Sequence, residues 1–212
     1  MENAYFIAGT DVGVGKTHVV CALLRNLTRQ GVATMGCKLV SCGDRKELRA
    51  MREAAGQPAM PLDSINPLYL RTMADPRVGA DFEHRKVDVE ALVSSCRALV
   101  TGYDTLLVEG VGGWETPLCS GKTMADLAAE LRFPVLLVVS NRQGAVSQAL
   151  MTVRSIQERG LECRGIILNQ QGEEWDTAAV TNRAMIEEYT GVPVVAELIQ
   201  GDDELDAAAV LI

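Results

Sequence analysis

Aromatic residues make up only 4% of this 212-residue chain, and it has just two histidines, His18 and His84. No apolar run approaches the roughly 18 residues that a membrane-spanning helix requires. The start, Met1-Glu2-Asn3-Ala4-Tyr5, lacks the basic stretch and long apolar segment of a secretory signal, so a cytoplasmic location is expected. The six cysteines (Cys21, Cys37, Cys42, Cys96, Cys119 and Cys163) include no C-x-x-C pair. With so few histidines, that spacing speaks against a zinc centre and for reduced thiols used in packing. Positive charge is also in deficit: 20 Lys and Arg face 28 Asp and Glu, for a net charge of -8. Such a balance is poor for gripping nucleic acid through its phosphates. Neither nucleic acid nor membrane is expected as a partner.

Repeats, low-complexity tracts and Pro/Gly linkers are missing too, so a single domain over residues 1–212 is expected. With 48% hydrophobic and 23% charged residues the composition is globular. A chain of this size buries roughly 70% of its unfolded surface without a metal or disulfide staple. Short Val/Ile/Leu-rich runs alternate with longer segments of helical spacing. Strands are expected at 5–8, 35–40, 105–108, 135–139, 165–168 and 192–196, with room for a seventh. Helices are expected at 15–30, 45–55, 88–100, 124–131, 145–159 and 176–189. The strands are apolar throughout rather than alternating, the mark of burial on both faces. The fold class is therefore α/β: a doubly wound, mostly parallel sheet of about seven strands with helices on both faces. Residues 58–86, with four prolines, read as loops and short helices at the strand ends.

The first strand runs directly into Gly9-Thr10-Asp11-Val12-Gly13-Val14-Gly15-Lys16-Thr17, and helical spacing begins at once. In such a loop, backbone N–H groups and the helix dipole face phosphate oxygens, Lys16 adds a point charge, and the Thr17 hydroxyl can ligate Mg2+. Thr10 stands where the strict G-x-x-x-x-G-K-[ST] pattern has its first glycine, yet the strand, Gly-x-Gly-Lys-Thr and helix context is specific. A dinucleotide fingerprint is excluded by the spacing after Gly15. Since the N-K-x-D guanine signature is absent, the expected ligand is ATP.

Two further strand ends carry charge. Lys38 follows the second strand and either reaches a phosphoryl group or anionic substrate or is a solvated surface lysine. Glu109 closes the third strand before Gly110-Val111-Gly112-Gly113-Trp114 and is placed to bind nucleotide Mg2+, while the glycines admit a ligand to the backbone. At the fifth strand, Asn169, Gln170 and Gln171 present amides suited to an adenine edge or to an ordinary turn.

Gly9-Thr10-Asp11-x-Gly13-Val14-Gly15-Lys16-Thr17, Gly36-x-Lys38 and Val108-Glu109-Gly110-x-Gly112-Gly113-Trp114-x-Thr116-Pro117-Leu118 together resemble the dethiobiotin synthetases. The likeness continues in Met124-Ala125-Asp126-Leu127-Ala128, in residues 133–139 and in 165–169, so it spans nearly the whole chain. The resemblance implies an ATP-dependent ligase that closes 7,8-diaminopelargonate with CO2 to dethiobiotin through a carbamate and a carbamic-phosphoric anhydride. It implies ATP and Mg2+ as cofactors and a homodimer with substrate at the subunit interface. By position it makes Lys16 and Lys38 catalytic, and Asp11, Val12, Gly13, Val14, Gly15, Lys16, Thr17 and Asn169 nucleotide-binding. Thr17 and Glu109 become metal ligands, with Asp44 or Glu47 completing the shell. Lys38, Cys42, Glu109, Gly110, Gly112 and Gly113 become substrate contacts.

The chain departs from the family pattern at Val12, Leu39 and Cys42, at Asp75-Pro76-Arg77, at Val146-Ser147-Gln148 and at Ile199. Arg77 and Arg142 are candidate replacement charges for a substrate carboxylate, or simply solvated. Two alternatives share the fold: a ligase acting on a different amine, and a partitioning-type ATPase switch. The second expects a lysine where Asp11 stands.

Overall fold

A computed structural model gives the fold and describes residues 4–170, 172, 177–199 and 201–211. The chain opens with β1 (Ala4–Gly9), the phosphate loop and α1 (Lys16–Arg29), followed by β2 (Thr34–Cys37) and β3 (Val40–Cys42). Then come α2 (Lys46–Ala54), α3 (Leu62–Ile65), β4 (Leu68–Leu70), α4 (Pro76–Phe82) and α5 (Val89–Val100). The middle holds β5 (Thr105–Glu109), β6 (Pro117–Cys119), β7 (Lys122–Thr123), α6 (Met124–Leu131) and β8 (Val135–Ser140). The last part contributes α7 (Ala145–Glu158), β9 (Cys163–Asn169), α8 (Thr177–Thr190), β10 (Val194–Leu198) and α9 (Ala207–Val210).

Six strands form one sheet in the order β10-β9-β8-β1-β5-β2, and every pairing is parallel. Its centre is buried at every position of β1, β5 and β8, which is why these strands read as unbroken apolar runs. From β1 the chain crosses over β5 to β2, whereas from β8 it steps the other way to β9. Right-handed crossovers in opposite directions put α1 on one face and α7 on the other. In α1 the buried Val20, Leu23, Leu24 and Leu27 make one stripe at helical spacing. The reversal of direction around β1 opens a crevice at the carboxyl ends of β1, β5 and β2, where sheets of this kind take ligands.

The expected α/β architecture is what the chain adopts, with two differences. The sheet has six strands rather than about seven, and the additional pairings make two small separate sheets, β3 with β4 and β6 with β7. The second expected strand, 35–40, is also broken. β2 stays in register with β5 only to Cys37 opposite Val108, and the chain then leaves to pair Val40–Cys42 with Leu68–Leu70. The break frees Lys38 from the ladder: its N–H donates to Ile65 O at 3.1 Å instead. A two-residue excursion of this sort leaves no mark in the apolar pattern, since Leu39 and Val40 are as buried as strand residues. Of the expected 176–189 helix, 177–190 forms α8; position 176, like Gln171, lies outside the described residues.

Leu24 is fully buried between α1 and the sheet. Leu24→Ala is expected to cost about 2–5 kcal/mol of stability, measured by urea denaturation with an unchanged m-value.

Candidate active site

A cavity of about 440 Å3 lies beyond the carboxyl ends of β1, β2 and β5, and Lys16, Thr17, Lys38, Cys42, Glu47, Glu109 and Gly112 are among the residues lining it. The strand ends bring these groups together from distant parts of the sequence. Glu109 is 2% exposed and Lys38 4%, and the Lys38 ammonium donates to Glu109 Oε1 at 2.8 Å. Glu47, from the first turn of α2, pairs with the same ammonium. Burial alone pulls the Lys38 pKa down, but the Glu109 and Glu47 carboxylates outweigh it and leave the group raised, firmly cationic at neutral pH.

Glu109 is also the acceptor for the Thr17 hydroxyl, at 2.9 Å to Oε1. Its second oxygen, Oε2, is buried with no hydrogen-bond partner among the described residues. An ionised carboxylate in that condition is costly unless a ligand completes it. The open oxygen, the Thr17 hydroxyl beside it and the all-oxygen character of the donors suit a hard divalent cation that also binds phosphate.

Lys16 is 7% exposed and folded over the phosphate loop, its ammonium donating to Gly112 O at 2.6 Å and Asp11 O at 3.1 Å. Burial lowers its pKa, with the nearby Glu109 carboxylate opposing. The loop is fixed from three sides. Thr10 N donates to Val138 O of β8 at 3.2 Å, Val12 N to Asp11 Oδ1 at 2.7 Å, and the Asn169 side-chain amide to Val14 O at 2.9 Å. Two loop carbonyls, Asp11 O and Val14 O, are thereby tied up by cationic or amide donors, an arrangement that favours an anion over the loop. Gly13 and Gly15 line the cavity, Val14 packs in the core, and the Val12 side chain is exposed.

The glycines after β5 serve close packing. Gly112 has φ +70°, and a Cβ there would fall 2.2 Å from Thr116 Oγ1. A Cβ on Gly113 would press to 3.3 Å on the Thr10 carbonyl and the Asp11 Cα. Gly110 sits on the Phe6 ring and donates to Ile7 O at 3.0 Å, outside the cavity lining. Trp114 is buried edge-on to Phe6, and its Nε1 donates to Ser155 Oγ at 3.0 Å.

Asp44 is not brought to the cavity: its carboxylate is solvent-facing and accepts from Lys46 N at 2.8 Å. Glu47, the second residue of α2, does line the cavity, where its carboxylate meets the Lys38 ammonium. Cys42 does line the cavity, where burial, then the Asp75 and Glu83 carboxylates, push its thiol up to about 11, so it stays protonated. The other cysteines are likewise free thiols. Arg77 pairs with Asp81 at 3.1 Å and Arg142 donates to Gln143 O at 3.3 Å; neither lines this cavity or the one beside it. That neighbouring cavity, about 500 Å3, includes Thr10, Trp114, Pro117, Met151 and Ser155, and shares Val12 and Asp75 with the first. No sequence pattern singled out Asn66, which is 1% exposed and donates to Lys38 O at 2.8 Å. Its only local signal is an Asn-Pro step that reads as a turn.

A family model described as an AAA domain matches residues 3–207. The ATP-dependent dethiobiotin synthetase BioD of Akkermansia muciniphila is 44% identical over 100% of this chain and 98% of its own length. Proteins of the same name from Anaeromyxobacter dehalogenans and Aromatoleum aromaticum are 38% and 40% identical, over 87% and 79% of this chain and 84% and 78% of theirs. Among solved structures, the septum site-determining protein MinD of Pyrococcus horikoshii, in complex with Mg-ADP, superposes with a TM-score of 0.62 at 18% identity, covering 94% of this chain and 82% of its own. A ParA family ATPase of Chlorobium tepidum gives 0.60 at 14%, covering 95% and 85%. At such low identity these two share the fold.

Lys38→Met leaves the buried Glu109 carboxylate without its cation, and is expected to destabilise by about 3–5 kcal/mol. Adding Glu109→Gln should recover much of that loss in a double-mutant cycle. Because the folded pKa of Lys38 is raised, its contribution is complete below the ordinary lysine value of about 10.4 and disappears only as pH rises through the higher folded value. Urea titrations between pH 7 and 11 check this.

Proposed function

The chain belongs to the dethiobiotin synthetase family, and from that premise we propose how its cavity carries out the ATP-dependent closure of 7,8-diaminopelargonate and CO2 to dethiobiotin. The carrying observation is the convergence of Lys16, Thr17, Lys38 and Glu109 from three strand ends on one cavity. One amine takes up CO2 as a carbamate, releasing a proton. A carbamate oxygen attacks the γ-phosphorus, the bond to the β,γ-bridging oxygen breaks, and ADP leaves. The second amine then attacks the carbamoyl carbon, phosphate leaves carrying that amine's proton, and the cyclic urea is complete.

In this reading residues 1–212 act as one phosphate-loop domain. Residues Asp11 to Thr17 hold the triphosphate, and Lys16 exchanges its two carbonyl partners for phosphate oxygens. Lys38, kept charged by Glu109 and Glu47, neutralises the carbamate and the transferred phosphoryl group, an electrostatic stabilisation that works best in a dry site. Asn169, with an amide hydrogen on Val14 O, turns its oxygen to the adenine amino group. Mg2+, held by Glu109 and Thr17, supplies neutralisation of phosphate charge. Gly112 and Gly113 let the diamine approach the backbone, beside Cys42, while Gly110, outside the cavity lining, keeps the turn packed on Phe6. The aliphatic tail runs past Val12 and Asp75 into the second cavity, whose walls include Trp114, Pro117 and Met151. Val12, Met73 and Met151 are exposed apolar groups around these mouths; a second copy of the chain covering them accounts for their exposure and makes the working unit a homodimer. The site is proposed to operate in the cytoplasm; among the described residues no helix is long and apolar enough to cross a membrane.

The deciding experiment measures phosphate release from ATP with Mg2+, with and without diaminopelargonate and bicarbonate, and looks for dethiobiotin by mass spectrometry. Release dependent on both, with product formed, is expected; ATP hydrolysis indifferent to the diamine would overturn the assignment. Lys16→Ala is expected to lower turnover at least a hundredfold. Glu109→Gln should raise the Mg2+ concentration for half-maximal rate several-fold, and an unchanged Mg2+ titration would make Glu109 purely structural.

A further inference from the structure

We infer that Asn66 is a positioning residue for Lys38, setting both the placement of that lysine and its approach to Glu47. The inference rests on the synthetase reading for what Lys38 does, and on geometry alone for how it is held. Lys38 sits in the two-residue gap between β2 and β3, where neither sheet supplies hydrogen bonds to its peptide groups. The segment 65–66 supplies them: Lys38 N donates to Ile65 O at 3.1 Å, and Lys38 O accepts from Asn66 Nδ2 at 2.8 Å.

The rest of the Asn66 side chain is equally committed. Nδ2 also donates to Leu68 O at 3.2 Å, while Oδ1 accepts from Ser41 Oγ at 2.8 Å and Arg45 Nε at 3.1 Å. All four hydrogen-bonding positions of the amide are used. Arg45 is the residue at which α2 begins, and its guanidinium is fixed further by Asp63 at 2.5 Å and by the Tyr69 ring, 4.4 Å from the centroid. In the first turn of that helix stands Glu47, the carboxylate that meets the Lys38 ammonium. Asn66 therefore grips the lysine by its backbone and the lysine's partner through the start of its helix. A side chain that only filled space would need none of these four bonds.

The four hydrogen bonds of Asn66 go to Lys38, Ser41, Arg45 and Leu68 and none to the phosphate loop, and this separates a positioning role from general damage. Asn66→Asp keeps an oxygen for Ser41 and Arg45, but replaces the donor facing Lys38 O and Leu68 O with an acceptor. We expect kcat for dethiobiotin formation to fall about 10- to 100-fold, while the dissociation constant for ATP, read by equilibrium dialysis, stays within twofold. Amide hydrogen exchange at Lys38 should speed up at the same time. Asn66→Ala serves if the aspartate variant does not fold, with the same expectation. An unchanged kcat, or a loss of kcat matched by an equal loss of ATP affinity, would overturn the inference. Wild-type protein that makes no dethiobiotin would remove the synthetase reading instead, and hydrogen exchange at Lys38 would then decide the positioning claim by itself.

Discussion

Two buried charges in contact, the Lys38 ammonium and the Glu109 carboxylate, impose most of what surrounds them. Moving such groups from water into the end of a sheet costs several kcal/mol each, and their mutual attraction repays this only with good geometry and further hydrogen bonds. The neighbourhood is organised to provide them. Thr17 donates to the carboxylate, Glu47 shares the ammonium, and Asn66 holds the lysine peptide that no strand can hold. The one demand left unmet there is Glu109 Oε2, on a residue that lines the same cavity as the phosphate loop.

The departure of the chain from the sheet after Cys37 belongs to the same logic. Had β2 continued alongside β5, residue 38 would have been opposite Glu109 in the ladder, with its peptide spent on pairing. By leaving one residue early and starting a second small sheet, the chain turns an edge-strand lysine into a buried one. The cost is a peptide that needs outside partners, and residues 65 and 66 meet it. Residues 58–86, irregular in pattern, are thus where the support for Lys38 and the wall of the cavity are built.

The loop from Gly9 to Thr17 and the sheet that carries it were legible in the sequence because both depend on local signals: a run of apolar residues, glycines at fixed spacing, a helix starting at once. Lys38 and Glu109 were legible as candidates because strand ends are where α/β folds take ligands. Their contact was not, since it depends on how two strands pair. That Glu47 rather than Asp44 lines the cavity depends on where α2 begins, which apolar spacing does not fix. Asn169 was read as a contact for an adenine edge or an ordinary turn residue, and its amide braces the loop across the sheet. Asn66 was invisible, because a buried amide is defined by partners that only the tertiary fold supplies.

Four of the bonds that assemble the cavity join residues far apart in the chain. Glu109 and Lys38 are 71 residues apart, Thr17 and Glu109 92, Lys16 and Gly112 96, and Asn169 and Val14 155. Closing loops of that length carries an entropy cost that the contacts reward only after the strands between them have docked. No stretch of the chain can therefore own a fraction of the site. Without docked strands the phosphate loop lacks its carboxylate and Lys38 its counter-charge. The site is thus a property of the assembled sheet rather than of any one segment, and a local lesion far along the chain can unmake it.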